Sequence, residues 1–221
     1  MQIAAQLDDR LVEGLAALGE PSVDPQLIGD PLCRYLALLL KWNRVYNLTA
    51  ITDPEQMITH HVLDSLVIVA PLDQLLEGVE VPTILDVGTG AGLPGIPLAI
   101  ARPAWTLTLL DSNSKKTAFV AQAAAEIGLP NVNVFTARAE ALAGGQFDVI
   151  VSRAFSSLRD LVSRTRVALA PSGFWAAMKG GVPHDELREL PGDVTCTHIL
   201  RLQVPGLDAE RHLLILRMKF P

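Results

Sequence analysis

The stretch LDVGTGAGLPGIPLAIA, Leu85 to Ala101, places Gly88, Gly90, Gly92 and Gly95 within eight positions, after an apolar run that reads as a strand and before one that reads as a helix. Stripping side chains from such a turn serves one of two ends: it brings bare backbone against a ligand, or it seats the helix tightly on the strand. Either end needs strand, tight turn and helix in that order, which commits the surrounding chain to an α/β architecture.

From Thr83 onward the pattern alternates accordingly. Strands are predicted over Thr83 to Val87, Thr106 to Asp111, Val132 to Thr136, Phe147 to Ser152 and Gly173 to Met178. Amphipathic helices fall between them, near Pro94 to Ala101, Ser114 to Ile127 and Leu158 to Leu169. Such crossovers make a parallel sheet covered on both faces. The chain ends differently, with strand-like runs around His198 to Val204 and His212 to Lys219 joined through Pro, Gly and Asp. A hairpin is antiparallel, so the expected fold is a seven-stranded, mostly parallel Rossmann-like sheet with one strand reversed.

The first eighty residues lack a convincing period-2 strand. Leu7, Leu11, Leu15 and Leu18 recur at helical spacing, as do Leu32, Tyr35, Leu36, Leu39 and Leu40, while Met57, Val62, Leu66 and Val69 form a third face. Pro21, Pro25 and Pro31 punctuate the early part, with Asp24 or Asp30 as helix caps. The chain thus divides into a helical N-terminal extension, 1–80, and one compact domain, 81–221.

At 221 residues, 49% of them hydrophobic and 19% charged, the chain can bury one full core. Its start carries acids where a secretory leader would carry bases, and its longest apolar runs are far shorter than a membrane span, which together imply a cytoplasmic protein. Cys33 and Cys196 have neither disulfide-framework nor zinc spacing and read as small hydrophobes. A net charge of −6 argues against a broad cationic surface for nucleic acid, while leaving room for a local basic face.

Gly90, Gly92 and Gly95 fit the dinucleotide fingerprint GxGxxG, but register favours another reading. Gly88 closes the turn directly after the strand, so the working spacing is Gly88, Gly90, Gly92 with Asp86 before it. That is the D-x-G-x-G-x-G loop of class I S-adenosylmethionine (AdoMet) methyltransferases. Asp111, about twenty residues on at the end of the second strand, is placed to accept hydrogen bonds from ribose hydroxyls, or else to cap the helix that follows. Ala139 and Glu140 follow the third strand, where an adenine is held; Glu140 reads equally as a first-turn acid. Arg153 and Lys179 stand past the fourth and fifth strands, at the edge where open α/β sheets bind ligands.

Absent motifs narrow the chemistry. Exocyclic amine methylation uses an Asn/Asp-Pro-Pro-aromatic stretch after strand four, and this chain has Ser152, Arg153, Ala154 and Phe155 there. Ring-carbon methylation of cytosine needs a cysteine nucleophile at the sheet edge, where neither cysteine falls. A nucleophile carrying its own lone pair remains, and guanine N7 is one.

Taken together, KWNRVYNLTAI (Lys41 to Ile51), HVLDSL (His61 to Leu66), ILDVGTGAGLPGIPLAI (Ile84 to Ile100), LLDSNSKK (Leu109 to Lys116), RAE (Arg138 to Glu140), SRAFSSL (Ser152 to Leu158), MKG (Met178 to Gly180) and ERHL (Glu210 to Leu213) resemble the bacterial RsmG family, also called glucose-inhibited division protein B. The resemblance runs from about Leu32 to the end. It implies AdoMet-dependent methylation of guanine N7 at one position in the 530 loop of 16S rRNA. It also implies cofactor contacts at Gly88, Leu93, Ala139, Glu140 and Arg153.

On the RNA side, Lys41, Arg44, Asn47 and Thr49 lead into His60, His61 and Asp64, so basic and hydrogen-bonding groups gather in an acidic protein. They read as phosphate or ribose contacts, or as solvated polar residues around a core of Trp42, Tyr46 and Leu48. His61 and Asp64 make too small a set for a metal, and a local His to Asp bond is the simpler expectation. Phe155 is either a stacking surface for an extruded guanine or a buried anchor. Lys179 and Arg211 complete the RNA candidates. No metal and no protein partner are expected, and the chain is read as a monomer acting on 16S rRNA or the small subunit. Two competing readings stand beside this: a ribose 2′-O methyltransferase, with Lys179 and Asp148 or Glu210 as the base set, and a nucleotide-binding module without activity.

Overall fold

The computed structural model describes residues 2–19, 24–142, 146–153 and 155–219, with side chains from residue 9 onward. Pro21 and Ala154, and the side chain of Leu7, lie outside that description. The N-terminal part is helical: α1 (Gln2–Leu18), α2 (Pro25–Tyr46), α3 (Pro54–Met57), a π-helical turn (Ile58–Leu63), α4 (Asp64–Leu66) and α5 (Val69–Leu75). The alternating part follows as β1 (Thr83–Val87), α6 (Gly95–Ala101), β2 (Thr106–Asp111), α7 (Ser114–Ile127), β3 (Val132–Thr136), β4 (Phe147–Ser152), α8 (Leu158–Thr165), β5 (Leu169–Lys179), α9 (His184–Arg188), β6 (Val194–Leu202) and β7 (Arg211–Met218).

The strands form one sheet in the order β3-β2-β1-β4-β5-β7-β6. β1 to β5 run parallel, and β7 is antiparallel to both its neighbours, β5 and β6. The reversed strand inferred from the closing hairpin is therefore β7. The order changes direction between β1 and β4, so their carboxyl ends diverge into a crevice, the usual ligand position in open α/β sheets.

Period-2 alternation sends neighbouring residues to two separate cores. Ile84, Leu107, Leu109, Val149, Val151 and Ile215 face the N-terminal helices with α6 and α7, where Leu11, Tyr35, Leu39, Leu66 and Phe119 pack. Leu85, Val87, Leu110, Ile150, Trp175 and Leu214 face α8 on the other side. Trp175 Nε1 donates to Thr165 Oγ1 at 2.8 Å, so the largest side chain of that second core is polar-satisfied as well as buried.

Several boundaries differ from the sequence reading. Asp24 caps α2, its side chain accepting from Gln26 N at 2.9 Å, but Asp30 caps nothing because α2 continues through Pro31. The buried stripe Leu32, Tyr35, Leu36 and Leu39 outweighs the hydrogen bond that a proline forgoes inside a helix. The third helical face contains a π turn, Ile58–Leu63, within a segment buried on nearly every side, Met57, Ile58, His61, Val62, Leu63 and Leu66 included. β5 begins at Leu169 rather than Gly173, through an irregular register against β4 that lets Pro171 and Ser172 sit outside regular pairing. β6 begins at Val194 rather than His198, because an edge strand can expose polar residues such as Thr197. α9 has too few residues to give a periodic signal.

Candidate active site

The site is assembled at the carboxyl edge of β1, β2 and β4. Parallel strands buried on both faces are nearly all apolar, so Asp86, fully buried in β1, is the anomaly that locates it. Its Oδ2 accepts from Thr89 Oγ1 at 2.6 Å and from Gly95 N at 2.9 Å, while the buried Oδ1 has no partner. Burial raises its pKa from 3.8 to about 6, more than those two bonds lower it.

The glycines divide by what a side chain would meet. Gly88 and Gly90 have φ of +72° and +60°; a Cβ at Gly88 would meet nothing within 4 Å, and one at Gly90 only the Gly88 carbonyl at 3.9 Å. These two open on empty space. Gly92 also has positive φ, but its Cβ would lie 2.7 Å from Ile96 Cγ1, and a Cβ on Gly95 would press on Leu109 and Asp86. The two purposes of a bare turn are thus served by different glycines: the first pair leaves a cradle, and the second pair lets α6 close on the sheet. Leu93 is buried behind them.

Asp111 ends β2 and closes the cradle from the side. Its Oδ2 accepts from Gly90 N at 3.0 Å and its Oδ1 from Asn113 N at 2.8 Å. The cap of α7 is Asn113, whose side chain accepts from Lys115 N, so Asp111 is not needed there. Each carboxylate oxygen retains a lone pair for a further donor. Beside it an open cavity of about 390 Å³ runs along Gly88, Asp111, Ala139, Glu140 and Phe155. Ala139 is buried in a 3-10 turn and Glu140 pairs with Arg164 at 2.8 Å. Phe155 is half-buried against the second core and also lines this cavity, so it is anchored on one side and open to the cavity on the other.

Arg153 lies on the other side of the cradle, donating through Nη1 to the His60 carbonyl at 3.0 Å and to Asp64 Oδ2 at 3.3 Å. Asp64 Oδ1 accepts from Arg211 Nε at 2.7 Å. The expected His61 to Asp64 bond is absent: both oxygens of Asp64 serve arginines, and His61 Nε2 meets Thr49 Oγ1 at 2.8 Å instead. Burial, and next the Arg153 charge, lower the His61 pKa from 6.5 to about 4, which keeps the ring neutral. At 4% exposure it cannot contact RNA from the surface. Thr49 is half-buried and held by Asn43, whose Oδ1 accepts from Thr49 N at 2.9 Å. Lys41, Arg44 and Asn47 are exposed around the end of α2. Lys179 is mostly covered and lies 2.9 and 3.0 Å from the two oxygens of Glu186, whose Oε2 also accepts from Leu158 N.

Asn43, Asp64 and Glu186 are the polar residues the sequence reading left without these roles. Asp64 stands in HVLDSL, but its partners lie 89 and 147 positions away.

A Rossmann-like sheet with one reversed strand, whose first strand ends in a buried acid and an open glycine cradle, defines the class I methyltransferase fold. A SAM-dependent methyltransferase from Aquifex aeolicus shares it with a TM-score of 0.54 at 16% identity, covering 74% of this chain and 98% of that one. So does a 1,6-didemethyltoxoflavin-N1-methyltransferase from Burkholderia thailandensis, crystallised with S-adenosylhomocysteine, with a TM-score of 0.55 at 16% identity over 84% of this chain and 89% of that one. The family model described as GidB, rRNA small subunit methyltransferase G, matches residues 30–214. The ribosomal RNA small subunit methyltransferase G of Neisseria gonorrhoeae is 51% identical over 208 residues, 94% of this chain and 97% of that protein. The chain belongs to the rRNA small subunit methyltransferase G family.

Proposed function

We propose that this protein transfers a methyl group from AdoMet to N7 of a guanine in the 530 loop of 16S rRNA. The observation that carries the reading is the open Gly88 and Gly90 cradle beside the unpartnered, buried Asp86 Oδ1, in a member of an rRNA methyltransferase family. A cationic amino-acid nucleoside suits this donor set: Asp86 and Asp111 offer carboxylates, and the cradle admits a ligand over bare backbone.

Gly88, Gly90, Asp111, Ala139, Glu140 and Arg153 would hold AdoMet, with Gly92 and Leu93 shaping the loop from behind. When bound, AdoMet supplies an electrophilic methyl group on a sulfonium. The chain's own task is then to orient and to exclude water, because guanine N7 carries no proton at neutral pH and its attack needs no general base. The surroundings agree with that economy. His61 is held neutral and inside, and the Lys179 amine is engaged by Glu186. Asp148, named for the ribose alternative, accepts from Thr83 N and Oγ1 where β1 begins, at the opposite edge of the sheet. Lys179 and Asp148 therefore do not meet as a base for a ribose hydroxyl, whereas Glu210, the other acid of that reading, stands beside Gly180 and Gly181.

On the RNA side, Lys41, Arg44 and Asn47 are assigned to the backbone path and Arg211 to the approach of the target, with residues 1–80 as a helical extension of the 81–221 domain. Among the described residues no helix is long and apolar enough to cross a membrane; the proposed 16S rRNA substrate is what supports action beside ribosomes in the cytoplasm. The test is to incubate small subunits from cells lacking the protein with methyl-labelled AdoMet and separate the nucleosides. Label on N7-methylguanosine is the expected result; label on a 2′-O-methylnucleoside overturns it.

A further inference from the structure

We infer that Asp64 is a positioning residue whose single carboxylate sets two arginines at once, Arg153 toward the cofactor and Arg211 toward the RNA. The inference rests on the function proposed above for the side chains it holds. Asp64 is 5% exposed and begins α4, directly after the π turn. One oxygen takes Arg153, which follows β4; the other takes Arg211, which begins β7. The carboxylate therefore ties the helical extension to two strands of the sheet. Arg153 is anchored a second time, on the His60 carbonyl of that same π turn, and Arg211 on the Glu210 carbonyl.

Guanidinium groups stay protonated, so two of them around one point repel unless an anion lies between. Asp64 is that anion. Because it is buried, the arrangement is not the loose, screened pairing of a surface ion pair, and loss of the anion leaves uncompensated charge. Each arginine has more N–H donors than these bonds use, and each remains partly exposed, so both can still reach a ligand. Both arginines thus keep N–H donors in reserve beyond the bonds that fasten them to Asp64 and to the two carbonyls.

The test combines binding measurements with mutant cycles. AdoMet affinity is read by calorimetry, and RNA affinity by fluorescence anisotropy on a 530-loop hairpin with S-adenosylhomocysteine present. Asp64→Asn should bind AdoMet about tenfold more weakly, with that loss shrinking below twofold when Arg153 is already Gln. It should bind the hairpin about tenfold more weakly, with that loss likewise disappearing in Arg211→Gln. A folded Asp64→Asn protein with both affinities within twofold of the parent overturns the inference, as do losses that persist in full in the arginine backgrounds. Should Asp64→Asn fail to fold, nitrogen-15 spectra of the arginine side chains in the parent decide. An Arg211 Nε–H exchanging at least a hundredfold slower than free arginine, and shifting in Arg153→Gln, is expected; exchange at the free rate overturns the inference. A parent protein that binds no AdoMet would remove the proposed function, and those spectra would still decide whether Asp64 holds both arginines.

Discussion

Asp86→Asn tests the site through a change of one charge at nearly constant shape. The Asp86 carboxyl titrates at about 6 instead of 3.8, and that interval corresponds to about 3 kcal/mol. Because the folded value is raised, the group's contribution to stability is fully present below 3.8 and is lost as pH rises through about 6. Near pH 7.5 the ionised form thus destabilises the fold by about 3 kcal/mol. In the variant, the asparagine carbonyl can replace Oδ2 as acceptor for Thr89 and Gly95, and its amide takes the place of the unpartnered Oδ1. An unpaired buried amide costs about 1–3 kcal/mol, so the expected balance near pH 7.5 runs from no change to a gain of about 2 kcal/mol. Urea unfolding followed by circular dichroism should show that gain, and show it gone near pH 4. AdoMet affinity should fall at least tenfold in the same protein, since a cationic ligand loses its carboxylate. A variant several kcal/mol less stable than the parent near pH 7.5, or one that binds AdoMet unchanged, refutes the reasoning.

Gly90→Val should fold with a backbone strain of about 1–2 kcal/mol or somewhat more, because φ is +60° but space is open, and should lose AdoMet binding by calorimetry. Normal affinity in the folded variant would remove the cradle from the account. Gly95→Ala acts on the fold instead: its Cβ would lie 2.7 Å from Leu109 Cγ and 2.8 Å from Asp86 Oδ2, so chemical denaturation should show a loss of about 1–3 kcal/mol. His61 has the opposite sign to Asp86. Its folded pKa is lowered from 6.5 to about 4, so stability should fall by up to about 3 kcal/mol as pH drops across that range, and His61→Gln should flatten that limb of the stability–pH curve.

Much of this was legible in the sequence wherever one element carries the signal. The strand-turn-helix around Gly88, the acid closing β2 and the antiparallel end all follow from local spacing, and each stands where expected. What the spacing could not show is which glycines face a ligand, because Gly92 and Gly95 are filled by Ile96, Val120 and Leu109, contacts made only on folding. The same limit hid the roles of Asp64 and Glu186. Both are acids in short or irregular helical segments whose partners arrive from other elements, and His61, read as an RNA contact or a partner of Asp64, is instead buried against Thr49. The step from Met57 to Val62, five residues where α-helical spacing gives three or four, spans the π turn Ile58–Leu63.

The most direct test of the central claim is nucleoside mass spectrometry of 16S rRNA fragments spanning the 530 loop, from cells lacking this protein and from the same cells carrying it back. The account predicts that N7-methylguanosine disappears from that fragment, returns with the parent protein, and does not return with a folded Gly90→Val variant. Undiminished N7-methylguanosine in the deleted cells, or its full return with the Gly90→Val protein, would contradict it.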